Sequence, residues 1–80
     1  MTKIAFVGGG SAQWTPGLVA DIALTPTLED AELVLNDIDL AALKEMVPLA
    51  RRISAYHGAP LRISGTLDRQ AALRDADAVV

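Results

Sequence analysis

The 80-residue chain has no cysteine and a single histidine. Disulfides and thiolate metal sites are excluded, and one imidazole is too little to build a metal centre from this segment alone. Long apolar runs are also missing. Behind Met1-Thr2-Lys3 the first apolar run extends only from Ile4 to Val7, far short of a signal peptide or a membrane span. An excess of cations is missing too. The net charge is −3 and the isoelectric point about 4.8, which gives no electrostatic footprint for nucleic acid or an anionic membrane. There is no internal repeat, low-complexity tract or interdomain linker. No Ser/His/Asp set, no carboxylate pair beside a substrate pocket and no metal-ligand spacing occurs, so no catalytic or metal-binding residue is expected within this segment. The default compartment is the cytoplasm.

Apolar residues, in contrast, are plentiful. They make up 51% of the chain, and the mean hydropathy is +0.32. A chain of this size buries only ~60% of its unfolded surface. Such a surplus is expected where strands are covered on both faces, as in parallel sheets, or where a piece retains the docking surface of a larger protein. Asp75-Ala76-Asp77-Ala78-Val79-Val80 reads as a loop leading into a strand that has barely begun. Residues 1–80 are therefore expected to form the N-terminal part of a larger domain, with the catalytic and substrate-binding part elsewhere.

Hydrophobic patterning gives the elements. Lys3 to Val7 reads as a buried strand closed by glycine. Thr15 suits a helix N-cap and Pro16 the first helical position. Leu18, Val19, Ile22 and Ala23 form one stripe of a helix reaching about Leu24, and Thr25-Pro26-Thr27 stops it. Glu32 to Asp37 reads as a second buried strand. Asp39 then caps a helix marked by Leu40, Leu43, Val47 and Ala50, which Pro48 should kink or divide. Gly58 fits the C′ position and Pro60 lies just beyond. Leu61 to Ser64 alternates apolar and polar, as an edge strand does, and Gly65-Thr66-Leu67 should turn the chain. Asp68 caps a short helix around Ala71 to Leu73, and a last strand begins at Ala78. The βαβαβαβ order with right-handed crossovers predicts an α/β, Rossmann-like parallel sheet in the order 3-2-1-4, half of a doubly wound domain.

The chemistry lies in the first turn. Gly8 and Gly10 match the first two glycines of G-x-G-x-x-G, where they permit a tight turn and the approach of a pyrophosphate. Gln13 stands in place of the third, so the first helix is expected to start slightly farther out. Ser11 either donates to a phosphate or satisfies the turn. Asp37, 27 positions after Gly10, ends the second strand, where an acidic residue accepts the adenosine ribose hydroxyls. The usual separation is about 20, and Leu28-Glu29-Asp30-Ala31 accounts for the excess. A carboxylate there repels a 2′-phosphate, so NAD is expected over NADP. Gly65 and Thr66 either edge the adenine or simply turn the chain. Trp14 either walls the cleft or packs under the helix. Asp39 reads as a cap, His57 as a cap or surface residue, Arg51 and Arg52 as a solvated helix face, and Tyr56 has no partner that marks it as catalytic.

Lys3-Ile4-Ala5-Phe6-Val7-Gly8-Gly9-Gly10-Ser11 with Trp14-Thr15-Pro16-Gly17-Leu18 resembles the start of glycoside hydrolase family 4. Leu33-Val34-Leu35-Asn36-Asp37-Ile38-Asp39 with Leu43, Thr66-Leu67-Asp68-Arg69 with Ala72-Leu73, and Ala76-Asp77-Ala78-Val79-Val80 are similar to that family's later segments. The spelling is most like the 6-phospho-glucosidase branch. The resemblance implies redox-assisted elimination rather than two-carboxylate hydrolysis. NAD⁺ takes a hydride from C3, a base removes the C2 proton, the leaving group departs from C1, water adds, and the hydride returns. A divalent metal, usually manganese, polarises the C2 and C3 oxygens; its ligands and the base would lie beyond residue 80. By position Gly8, Gly10, Ser11 and Asp37 carry over as cofactor contacts. The implied substrate is a small glycoside or phosphoglycoside, and the full-length protein is expected to be a homo-oligomer. A lactate- or malate-dehydrogenase-like oxidoreductase shares the fold and the pattern Ile63-Ser64-Gly65-Thr66 through Asp77 to Val80, but Gln13 and Thr15-Pro16 count against it. A non-enzymatic nucleotide-binding module is the third alternative.

Overall fold

The computed structural model describes residues 2–28 and 30–80. The elements run β1 (Lys3–Val7), α1 (Thr15–Ala23), a 3-10 turn (Pro26–Leu28), β2 (Glu32–Asn36), α2 (Leu40–Tyr56), β3 (Arg62–Thr66), α3 (Arg69–Leu73) and β4 (Ala78–Val79). All pairings are parallel, in the order β3-β2-β1-β4. This is the Rossmann-like sheet that the apolar runs predict. Glu29, within the insertion before β2, lies outside the described residues.

Alternation along each strand sorts the side chains into two cores. Ile4 and Phe6 of β1, Leu33 and Leu35 of β2 and Ile63 of β3 meet Val19 and Ile22 of α1 and Leu43, Met46 and Ala50 of α2. Ala5 and Val34 point the other way and pack on Ala72 of α3, with Ala76 at the margin. The second layer is built from small residues, so a helix of five residues can sit close to the sheet. Lys3 anchors that helix. Its Nζ donates to the carbonyls of Ala71 and Arg74 at 3.2 and 2.6 Å, a cation at a helix C-terminus.

The helix signals act largely as read. Asp39 accepts from the Ala42 N–H, and Asp68 from the N–H groups of Gln70 and Ala71. Gly58 has φ +70° just past α2, where His57 is the C-cap. Pro48 does not divide α2, which runs unbroken through it. Proline removes one donor, to the Lys44 carbonyl. Lys44 and Pro48 are both exposed, so the missing bond falls on the solvent side of the helix.

Three local expectations change. β2 ends at Asn36, leaving Asp37 as the first residue of the loop. β3 extends through Gly65 to Thr66, so Gly65 is a strand residue and not a turn. A Cβ at Gly65 would lie 2.8 Å from Val47 Cγ2, so glycine here admits α2 onto the strand. Arg51 is exposed but not merely solvated. Its Nε and Nη2 both donate to the Ile63 carbonyl, at 3.1 and 2.9 Å, and clamp α2 to the edge strand. Among the described residues no helix is long and apolar enough to cross a membrane.

Leu33 is fully buried at the centre of the larger core. Leu33→Ala is expected to destabilise the fold by about 3 kcal/mol, read as a lowered urea midpoint. Arg52→Ala, on the outer face of α2, is expected to stay within about 0.5 kcal/mol.

Candidate functional site

The strand order reverses at β1. β2 and β3 lie to one side and β4 to the other. In such sheets the crevice beyond the carboxyl ends of the strands, at the reversal, is where ligands bind. Three connections leave this end of the sheet: residues 8–14 after β1, residues 37–39 after β2, and residues 67–68 after β3.

The first connection is held from below. Gly8 has φ +82°, which glycine adopts without strain. The N–H groups of Gly8 and Gly9 both donate to the Asn36 carbonyl, at 2.7 and 2.8 Å. The Gly10 N–H donates to Asp37 Oδ2 at 2.9 Å. The Ser11 N–H closes the turn on the Gly8 carbonyl, and the Ser11 hydroxyl accepts from the Trp14 N–H at 3.3 Å. The four candidate residues Gly8, Gly10, Ser11 and Asp37 are therefore one hydrogen-bonded unit. The N–H groups of Gly8, Gly9, Gly10 and Ser11 point inward, to Asn36, to Asp37 and to the turn itself, and not outward as the diphosphate cradle that the glycine spacing leads one to expect; the Asp37 N–H faces the Thr66 carbonyl.

Thr15 departs from its predicted role. It is the first residue of α1, and Trp14 takes the N-cap position without a side-chain bond. The Thr15 hydroxyl donates instead to the buried Gly9 carbonyl at 2.9 Å. The turn residues thus reach α1 through Thr15, not through a cap.

What remains free defines the chemistry. Among the described residues, the N–H groups of Ala12, Gln13 and Gly17 meet no acceptor in the protein. All three residues are exposed; Gly17 is in the first turn of the nine-residue α1, and Ala12 and Gln13 lie in the turn just before its N-cap Trp14. Unpaired donors near a helix N-terminus favour an anion. Beside them, half-buried Asp37 accepts from Gly10 through Oδ2 and from the Asp39 N–H through Oδ1 at 3.0 Å. Each carboxylate oxygen keeps a lone pair for a hydroxyl donor. Ile38 follows at 98% exposure, an apolar side chain in the loop between β2 and α2.

Two grooves flank this unit. One, of about 530 Å³, is lined by Phe6, Gln13, Trp14, Leu18 and Val80; Trp14 is 67% exposed and walls it instead of packing under α1. The other, of about 440 Å³, lies between α2 and β3 and includes Leu40, Val47, Gly65 and Thr66. The Thr66 carbonyl accepts from Asn36 Nδ2 at 3.0 Å, and its hydroxyl accepts from the Asp68 N–H. Tyr56 is exposed and packs edge-on against His57, at the opposite end of α2 from the crevice. Among the described residues no three His, Asp or Glu side chains converge on a point, so none is assigned to manganese.

The sequence pattern missed Asn36, Gly9 and the Ala12–Gln13 donors. Only the run of three glycines hinted at Gly9. A Cβ there would stand 2.7 Å from Leu35 Cβ and 3.0 Å from the Phe6 carbonyl oxygen, so the loop can lie on the sheet only as glycine. At Gly10 a Cβ would meet Asp37 Oδ2 at 2.7 Å, whereas at Gly17 it would meet nothing within 4 Å. Gly9→Ala is therefore expected to destabilise by about 1–3 kcal/mol. Gly17→Ala is expected to stabilise α1 by about 0.5–1 kcal/mol, and thermal unfolding of the two variants should move in opposite directions.

Comparison with known proteins gives the family of the chain. The family model described as Family 4 glycosyl hydrolase matches residues 3–80. An alpha-glucosidase of Erwinia rhapontici is 39% identical over 79 residues, covering 99% of this chain and 17% of the relative. An alpha-galactosidase of Rhizobium meliloti (strain 1021) is 35% identical, covering 98% of this chain and 16% of the relative. An alpha-galactosidase of Bacillus subtilis (strain 168) is 31% identical, covering 100% and 18%. The crystal structure of a 6-phospho-alpha-glucosidase from gut microorganisms, in complex with NAD and glucose-6-phosphate, superposes with a TM-score of 0.85 at 28% identity, covering 98% of this chain and 18% of that one. The chain thus spans about a sixth of the length of the relatives it matches. From the strand–glycine–helix start to the acidic turn after β2, over nearly its whole length, it belongs to glycosyl hydrolase family 4.

Proposed function

We propose that this chain is the N-terminal, NAD-binding part of a family 4 glycosidase that cleaves a small glycoside or phosphoglycoside, with its catalytic base and metal ligands elsewhere in the protein. One observation carries the cofactor assignment: free donors at the start of α1 stand next to a carboxylate that is already fixed in place. The Ala12 and Gln13 N–H groups are the donors that a diphosphate would take, with the α1 dipole behind them. Gly8, Gly10 and Ser11 hold the loop that presents those donors. Asp37 would accept the adenosine ribose hydroxyls on its open lone pairs, and Ile38 offers an apolar surface to the base. A phosphate in place of the 2′-hydroxyl would face the Asp37 carboxylate, which favours NAD over NADP.

NAD, when bound, supplies a hydride acceptor for the sugar ring. The chain's own part is to bind and orient that group at the carboxyl edge of the sheet. The matched structure holds NAD and glucose-6-phosphate, which supports both the cofactor and the phosphorylated branch of the family. The relatives named are all α-glycosidases, which supports an α-linked substrate. Manganese dependence, a cytoplasmic location and self-association of the full-length protein belong to the same proposal, and the net charge of −3 fits a protein without nucleic-acid or membrane partners.

The full-length protein should release p-nitrophenol from a p-nitrophenyl 6-phospho-α-glucoside when supplied with NAD⁺ and Mn²⁺. No product from that compound excludes the phosphorylated substrate. Turnover of any glycoside without need of NAD⁺ contradicts the cofactor assignment. Asp37→Ala should weaken NAD⁺ by about tenfold or more, through loss of a charged hydrogen-bond acceptor, and narrow the preference over NADP⁺; calorimetry with both nucleotides reads this.

A further inference from the structure

Asn36 is the last residue of β2 and is 4% exposed. Its carbonyl carries both the Gly8 and the Gly9 N–H bonds. Two such short bonds constrain the direction of the C=O, because each needs its own lone-pair alignment. The side chain of the same residue supplies that constraint from the other side. Its Nδ2 donates at 3.0 Å to the Thr66 carbonyl, at the register position directly across on β3. The backbone rung at this point is stretched, with Asp37 N 3.4 Å from the same Thr66 oxygen. The side-chain amide therefore reinforces the sheet where β2 and β3 part, immediately beneath the glycine loop.

We propose that Asn36 is a positioning residue for cofactor affinity. Its side-chain amide holds the peptide whose carbonyl shapes the Gly8–Gly9 turn, and through that turn sets where the Ala12 and Gln13 donors stand. This rests on the NAD reading above. Asparagine suits the task because it combines a short reach with an N–H₂ donor. Aspartate has the same size but no donor when ionised, and it would turn a charge toward the Thr66 carbonyl.

The test is calorimetry on the full-length protein with NAD⁺, ADP-ribose and adenosine, comparing wild type, Asn36→Asp and Asn36→Leu. Ser54→Ala is the control. It removes a buried 2.7 Å hydrogen bond to the Ala59 carbonyl, in the last turn of α2 at the far end of the sheet. Both Asn36 variants should bind NAD⁺ and ADP-ribose about tenfold more weakly, while adenosine, which has no diphosphate to place, stays within about twofold. Ser54→Ala should lower the melting temperature and leave NAD⁺ affinity within about twofold of wild type. Wild-type affinity for NAD⁺ in both Asn36 variants overturns the proposal and leaves the NAD reading standing. An equal loss for adenosine, or an equal loss in Ser54→Ala, also overturns it, since general destabilisation then explains the effect. If the wild-type protein takes up no NAD⁺, the NAD reading falls and this proposal falls with it.

Discussion

The carbonyl of Asn36 is the point on which the site depends. It accepts two N–H groups from the loop after β1 and so fixes the path of that loop over the end of β2. Everything upstream and downstream follows from this contact. Gly9 must be glycine because the loop then lies on Leu35. Gly10 comes within reach of Asp37, and Thr15 within reach of Gly9. The donors left over fall at the start of α1. These three exposed donors, of Ala12, Gln13 and Gly17, are the ones the proposed site would turn toward an anion.

In the proposed NAD site the same contact joins the phosphate end to the ribose end. The residue that holds the glycine turn is followed directly by Asp37, the carboxylate proposed to accept the ribose. Asp37 then returns to the loop through Gly10. The groups proposed to face phosphate and sugar are therefore tied to one network of short-range bonds at the end of one strand. The two cores set this network in place. Large side chains hold α1 and α2 on one face of the sheet, and small ones admit α3 on the other.

Much of this was legible in the sequence. Unbroken apolar runs at Ile4 to Val7 and Leu33 to Leu35 identify central strands, and the alternation at Leu61 to Ser64 identifies an edge. Together they give the 3-2-1-4 order, because a strand buried on both faces has no room for polar residues. Glycines after a strand mark the turn, and Asp39 and Asp68 mark caps through purely local bonds. What stayed hidden depends on partners distant in sequence. Gly65 looks like a turn residue until Val47 of α2 is placed against it. Arg51 looks solvated until the Ile63 carbonyl lies beside it. Thr15 looks like a cap because its competing partner, the Gly9 carbonyl, is reached only after the loop has folded back. Which amides of the glycine loop are free could not be read at all, since Asn36 lies across the strand pair. The family likeness was legible from the Gly-Gly-Gly-Ser and Thr-Pro spacing, and the match over residues 3–80 bears it out against the dehydrogenase-like alternative.

Backbone amide hydrogen exchange at single-residue resolution, on the full-length protein with and without NAD⁺, examines the central claim directly. The Gly8 and Gly9 amides should exchange slowly in both states, held by Asn36. The Ala12 and Gln13 amides should exchange fast alone and become protected once NAD⁺ is bound. Fast exchange at Gly8 and Gly9 without cofactor, or no added protection at Ala12 and Gln13 with it, would contradict the account.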